Sequence, residues 1–431
     1  MQPPPPWGYT MPSGGFDRRP PQPGPYRGQQ TQLGSHGELP RHRGPGRPYR
    51  KGVCGPLLLL CQVWGSVVPR VLPWAVLAAV YTALLHSSVT CNVWPAYCSN
   101  GHPSFEREDR PFLFVHTYGY QAVLLASGFG LVFRLNQSLA RYWEARTASQ
   151  NFASKWCDVI LMALAYDEEV DAATAARKQC DAWGRCLLHL MSLLHAIALH
   201  TLRGDESLET LQPRGSQPQG RASPAGFNSH GASAAGPICL LGGLDPSERA
   251  VLQSSASRVH IVLGWLIRLI VRRRKSGGLA VDAPTTSRLH QFLSDGNMWY
   301  LSALKVCDTP FPFAYAQLNA IICFVNLALF PVIVADKVAS LPLGAAVSFC
   351  AIFFIFGLNE VARDLEDPFT TTAGFPGTNR LHAPLMQAAF DDRLLAVAGS
   401  LASSCGGGGF GHFLKDALGN ERTMPAAAGF S

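Results

Sequence analysis

The side chains of this 431-residue chain that could do chemistry are few, and they are spaced for support rather than for reaction. Seven charged residues stand out at the ends of long apolar runs: Arg134, Arg141, Glu144 and Arg146 after one, Glu360, Glu366 and Asp367 after another. Guanidinium and carboxylate groups placed there suit the capping and bracing of helix ends. His189, His195 and His200 share one uncharged stretch, but at about 100° per residue they project in different directions and make no common metal face. There is no Cys/His spacing typical of zinc, no nucleophile elbow and no phosphate loop; the Gly-rich run at 406–409 lacks the Lys-Ser/Thr that a phosphate loop requires. The chain therefore reads as no enzyme, with no catalytic residue, no metal site and no cofactor.

What positions the seven charges is a set of membrane-length runs. Residues 112–133 are 22 positions without Lys, Arg, Asp or Glu, long enough for a hydrocarbon core that needs about 20. The run stops at Arg134 and continues as a charged helix, the pattern of a pore-type helix that leaves the membrane for water. Further spans are expected at 71–89, 314–335 and 341–358, the last two joined by a short hairpin at Asp336 and Lys337. Composition agrees: 47% of residues are hydrophobic and 15% charged, against roughly 25% charged in soluble domains. This is the profile of an integral, multi-pass membrane protein, all-α, with four transmembrane helices and cytosolic helices between them. The 90–110 link carries net −1 while the flanks beyond Arg70 and Arg134 are basic, which places both flanks in the cytosol. Cys91 and Cys98 in that link either pair in an oxidising space or stay free; Cys323 and Cys350 read as inert core thiols.

Outside the spans the chain varies in character. Residues 1–52 are rich in Pro, Gly and Arg and hold +6 of the net +7, which reads as a disordered basic tail. Its charge suits a juxtamembrane segment on the cytosolic side rather than nucleic-acid binding. It has no apolar core of a secretory signal, and an organelle transit peptide is the alternative. Residues 137–203 show helical periodicity with charges between, a soluble helix. Within it, 186–202 is long and uncharged enough to be mistaken for a span, but reads as a buried cytosolic helix. The stretch 212–237 is an inserted Gly/Ser/Ala/Pro loop, and 396–431 a C-terminal tail. Asp245-Pro246-Ser247-Glu248 starts a helix that is expected to run to about Arg274. Its apolar face is Val259, Val262, Leu263, Leu266 and Leu269, and its basic end, Arg272 to Lys275, reads as solvated.

Three blocks, taken together, carry a family resemblance. They are GlySerValValProArgValLeuPro at 65–73; Phe133, Arg134, Asn136, Tyr142, Trp143, Glu144, Ala145 and Arg146; and ThrProPheProPheAlaTyr at 309–315 with GluValAlaArgAspLeuGluAspProPhe at 360–369. In order and spacing they resemble the bestrophins and bestrophin-like anion channels, most closely the bacterial, fungal and plant branch. The resemblance spans about 62–395 apart from the insert, inside a channel domain drawn at 53–395. It implies a homopentamer with one axial pore for chloride and similar monovalent anions, bicarbonate and nitrate among them. Leu125, Phe129 and Phe133 fall on that family's apolar neck, and Phe311 on its second constriction. Spacing alone says only that the three lie on one helical face, which equally suits packing against lipid or a neighbouring helix. Two departures stand out. ThrThrThrAlaGlyPhe follows Pro368-Phe369 where animal members carry acids, so no calcium clasp of that type is expected. Leu304 stands where the family often has an acid before Lys305. A bicarbonate or other anion transporter and a scaffold without conductance are the alternatives; coupling would fall to His116, an ionisable residue within the expected spans. The plasma membrane is the expected location, with a chloroplast membrane as the alternative.

Overall fold

The computed structural model describes residues 66–86, 118–167, 174–214, 236–279, 281–338, 340–369 and 381–404, side chains at 174–181 and 400–404 excepted. Nearly all of it is helix: α1 (Val68–His86), α2 (Tyr118–Ala165), α3 (Thr174–Leu202), α4 (Pro246–Gln253), α5 (Arg258–Lys275), α6 (Ala283–Asp308), α7 (Phe313–Lys337), α8 (Leu341–Glu366) and α9 (Ala383–Ser404). Two three-residue strands, β1 (Leu211–Pro213) and β2 (Ile238–Leu240), pair in parallel with Leu211 opposite Ile238. The 90–110 link with Cys91 and Cys98, His116, residues 370–375 and the two tails' outer parts lie outside the described residues.

α2 is the spine. It runs 48 residues without a proline, about 72 Å at 1.5 Å per residue, more than twice a hydrocarbon core of about 30 Å. Such a helix must change solvent along its length, and its burial changes accordingly. The first turns leave Leu125, Phe129, Val132 and Phe133 exposed. The second half buries Ala145, Ala148, Phe152, Trp156, Val159, Ile160 and Ala163, spaced three and four apart, in a large core shared with α3, α5, α6 and α9. The soluble helix expected over 137–203 is thus two helices, with the break between Ala165 and Thr174.

α1, the start of α2, α7 and α8 share a second, smaller core of Val71, Ala78, Leu131, Cys323, Ile352 and Phe356. Five segments among the described residues are long and apolar enough to cross a membrane. Burial separates them: 22–33% of residues are buried in the best window of α1, α2, α7 and α8, against 78% in Ala182–Leu202. A helix that turns apolar side chains outward suits lipid; one wrapped in protein needs none. The 182–202 segment is therefore a core helix, as expected. Between the four outward-facing helices, small polar pairs hold the bundle, as apolar contact alone gives little drive in lipid. Thr82 Oγ1 donates to Ser348 Oγ at 2.7 Å, and Asn326 Nδ2 to Ser127 Oγ at 3.0 Å. α1 begins three residues before the expected 71–89, and α8 continues as helix past 358 to Glu366. Cys323 is buried as expected, whereas Cys350 is exposed on α8, on a face of the helix that the described residues leave open.

The 245–248 start forms a full capping box: Asp245 accepts from Ser247 N, and Glu248 accepts from Asp245 N. The helix does not reach Arg274 unbroken, however. Ser254, Ser255 and Ser257 compete for local hydrogen bonds, and Ser254 ends α4 while Ser257 begins α5. The apolar face from Val259 to Leu269 is buried as the periodicity requires. Its basic end is not wholly solvated. Arg273 is buried: Nε donates to Asp167 Oδ1 at 2.8 Å and the guanidinium lies 5.5 Å over the Trp183 ring. The strands close the base of the 212–237 insert, so the chain leaves and re-enters the body at adjacent points.

Close approach fixes one glycine. A Cβ on Gly296 would lie 2.2 Å from Trp156 Nε1, an indole buried in the large core whose N–H donates to Leu293 O. Gly296→Ala is expected to cost about 1–3 kcal/mol by overpacking. A thermal melt of the purified variant checks it, and an unchanged midpoint would show that α2 and α6 do not pack this closely.

Candidate functional site

The helix periodicity of α2 sorts its residues into two faces. Ser127, Leu131, Arg134 and Ser138 turn inward and are buried. Leu125, Phe129 and Phe133 turn the opposite way and are 64%, 70% and 56% exposed. Three large apolar side chains thus stand in line on a face that the other described residues leave mostly open. Phe129, Gly130, Val132, Phe133 and Asn136 line a groove of about 490 Å³ with Tyr315 of α7.

Tyr315 joins the two expected constrictions. Its ring stands edge-on to Phe133 at 6.0 Å and lies 5.8 Å from Phe311, and its hydroxyl donates to Gly130 O at 2.9 Å. Phe311 precedes Pro312, the cap of α7, and the Arg134 guanidinium sits 5.5 Å over its ring. Phe133 and Phe311 thus share Tyr315 as a neighbour. Leu125 and Phe129 lie two turns and one turn farther along α2.

The charged residues gather where these helices end. Arg134 is 5% exposed; Nε and Nη2 each meet Glu366 Oε1 at 2.8 Å, and Nη1 donates to Asn359 Oδ1 at 2.6 Å. Arg141 serves backbone instead. It donates to Glu366 O, Val306 O and Thr309 O, the carbonyls that the ends of α8 and α6 leave without helical partners. Glu360 meets Arg70 at 3.7 Å and Arg363 at 3.6 Å rather than an arginine of α2. Glu144 pairs with Lys305 at 2.5 Å on the surface. Arg146 and Asp367 make no ion pair among the described residues, and Asp367 caps the C-terminus of α8. Sequence reasoning missed the strongest contact of α1 here, Arg70 Nη1 to Asp364 Oδ1 at 2.6 Å. Both residues sit inside the motif blocks at 65–73 and 360–369, which was the available signal. Arg70 and Arg134, the two basic flanks, thus converge on one α8 terminus and lie at the same end of the bundle.

The three histidines of α3 find partners in three directions. His189 meets Glu248 of α4 at 3.2 Å and Leu241 O at 2.7 Å. His195 bonds Gln387 of α9, and His200 bonds Ser207 O. Among the described residues, no group of three or more His, Cys, Asp or Glu is placed to hold a metal. Within the apolar runs of the outward-facing helices, the buried polar groups Thr82, Ser127, Asn319, Asn326 and Ser348 are neutral; the buried charges Arg134, Asp364 and Glu366 lie beyond those runs.

Comparison with known proteins adds to this geometry. A sequence model of the family described as bacterial/fungal bestrophin protein matches residues 50–375. Among solved structures, a bacterial bestrophin homologue from Klebsiella pneumoniae is similar at 16% identity with a TM-score of 0.52, covering 77% of this chain and 98% of that one. A point variant of it gives 16% identity and a TM-score of 0.55, over 78% of this chain and 100% of that one. A crystal structure described only as a membrane protein gives 15% and 0.54, over 76% and 98%. At these identities the likeness is one of fold. No curated protein matches.

Proposed function

We propose, for a chain that belongs to the bacterial and fungal bestrophin family, that it is a passive channel for chloride and similar monovalent anions. The family is channel-like rather than enzymatic, and the chain is an integral membrane protein. The observation that carries the proposal is the open apolar stripe of α2. Leu125, Phe129 and Phe133 stay mostly exposed among the described residues, with only Tyr315 of α7 against Phe133, while the opposite face of α2 is locked by Arg134 and Ser138. Five copies arranged about an axis would turn the stripes inward and make a narrow neck. Aromatic rings present positive edges to an ion in such a neck, which favours a partly dehydrated anion. Phe311, joined to Phe133 through Tyr315, would form the second constriction. Chloride, bicarbonate and nitrate all fit selection by charge and ease of dehydration. The channel domain is placed at 53–395, with the tails and the insert as appendages; the plasma membrane is favoured and a chloroplast membrane is the alternative.

A coupled transporter would require an ionisable group at mid-membrane depth. Within the described parts of the apolar runs, 71–86, 118–133, 314–335 and 341–358, there is no Lys, Arg, Asp or Glu, and the one histidine, His86, sits in the last turn of α1 against Thr82 O and Val338 O. Proteoliposomes loaded with chloride separate the readings. Efflux that follows the electrical and chemical gradient alone, with no proton or sodium movement in step, is the expected result. Efflux that stalls without a sodium or proton gradient would make the protein a transporter, and tight vesicles containing folded protein would make it a scaffold.

A further inference from the structure

Helix α9 is held to the body by a polar network that the channel reading does not use. Ser192 Oγ of α3 donates to Asp391 Oδ1 at 2.7 Å and accepts from Leu241 N, just past β2, at 3.0 Å. Gln387 Nε2 donates to Asp391 Oδ1 at 2.9 Å, to Ser192 Oγ and to Ser192 O. His195 Nδ1 completes the set, donating to Gln387 Oε1 at 2.7 Å with its ring stacked 4.0 Å from Phe390. Ser192, Gln387 and Asp391 are fully buried, and His195 is 1% exposed.

Among the described residues, no ion pair serves either titratable member. Asp391 Oδ2 is buried without a hydrogen-bond partner among the described residues. The nearest cation from the β1 side, Arg214, is bonded to Asp392 at 2.5 Å. Arg393 on α9 is exposed, and His189, one turn back on α3, is paired with Glu248 of α4. From α2, the large core presents Phe152 and Trp156 to His195, not charge. A charge left alone in such a site is costly, so each group is held in its neutral form.

We propose that Asp391 and His195 form a proton-balanced clamp, in which α9 docks with both groups neutral and its attachment does not vary as pH changes between about 4.5 and 6.5. Undocking exposes both groups together. The carboxyl then releases a proton while the imidazole takes one up, so the number of protons bound is unchanged.

The signs follow from the direction of each shift. Burial pushes the Asp391 carboxyl up to about 7, against the pull of Ser192, Arg214 and Gln387. The docked state therefore keeps a proton that an exposed carboxyl, ordinarily at 3.8, has lost, and docking by this group weakens as pH rises from 3.8 to 7. Burial pushes His195 down to about 4, so the docked state lacks a proton that an exposed imidazole gains below 6.5. Docking by that group weakens as pH falls from 6.5 to 4. The windows overlap and the slopes oppose.

Hydrogen–deuterium exchange of the full-length protein, followed on α9 peptides at pH 5.0 and 6.5 and corrected for intrinsic exchange, tests this. Wild-type protection is expected to agree within about threefold at the two pH values. Asp391→Asn leaves His195 uncompensated, and protection drops roughly tenfold or more at pH 5.0. His195→Asn keeps the donor to Gln387 and leaves Asp391 uncompensated, and protection drops by a similar factor at pH 6.5 instead. Opposite signs in the two variants establish the clamp. Wild-type protection that itself changes tenfold, or variants as flat as wild type, would overturn it. If Asp391→Asn does not fold, the sign of the His195→Asn change still decides, because loss at pH 5.0 or no change contradicts the proposal.

Discussion

Arg134→Met is expected to destabilise the protein by about 3–5 kcal/mol, the largest single effect in the structure. The substitution keeps the bulk of the side chain and removes its charge. Glu366, 8% exposed, is left with Ser138 Oγ at 3.5 Å and no cation in contact, and Asn359 loses its partner. Arg70 cannot take over, since it is engaged with Asp364 and Glu360. Burial decides the size of the effect. Glu144–Lys305 is at least as short at 2.5 Å, but its side chains are 46% and 65% exposed, so Glu144→Ala is expected to cost under about 1 kcal/mol. Replacing both partners, Arg134→Met with Glu366→Leu, removes the unpaired charge and is expected to recover most of the loss. Thermal melts in detergent of wild type, Arg134→Met, Glu366→Leu and the double variant form the double-mutant cycle, with Glu144→Ala melted alongside, and equal losses for Arg134→Met and Glu144→Ala would remove Arg134 as the anchor of α2.

The second large effect is on conduction rather than stability. Phe129→Ala with Phe133→Ala takes two rings from an exposed face, so the fold of each chain is expected to remain. In the proposed neck the same change widens the narrowest part and removes the apolar lining that gates by dewetting. Open probability and conductance are both expected to rise, with weaker discrimination among anions of different hydration. Single-channel recording checks this. Unchanged open probability would assign the two rings to packing against lipid or another helix.

The contrast between these predictions follows what was legible in the residues. Periodicity and run length located every membrane-length helix and showed α2 passing from an apolar to a charged environment, because those properties are local and survive without neighbours. Its three histidines and the bounding Arg185 and Arg203 marked 186–202 as core, where hydropathy alone would make it a span. Pairing was less legible. Of the acids expected to brace the helix ends, Glu366 does meet Arg134 of α2, but Glu360 turns to Arg70 of α1, and Asp364, not among those expected, meets the same Arg70 across 294 residues of sequence. Arg273 reads as a solvated helix end until Asp167 and Trp183, from other elements, close over it. The break at Ser254–Ser257 was signalled by three serines, yet the apolar spacing on either side masked it. The parallel pair that closes the insert had no signal, since three-residue strands carry no alternation to read.

The central claim is that this chain forms a passive anion pore, and current through the purified protein in a planar bilayer under a chloride gradient tests it most directly. The account predicts a reversal potential near the chloride equilibrium value, unchanged between nominally zero and micromolar calcium. A reversal potential near the cation value, or no current from correctly assembled protein, would contradict it.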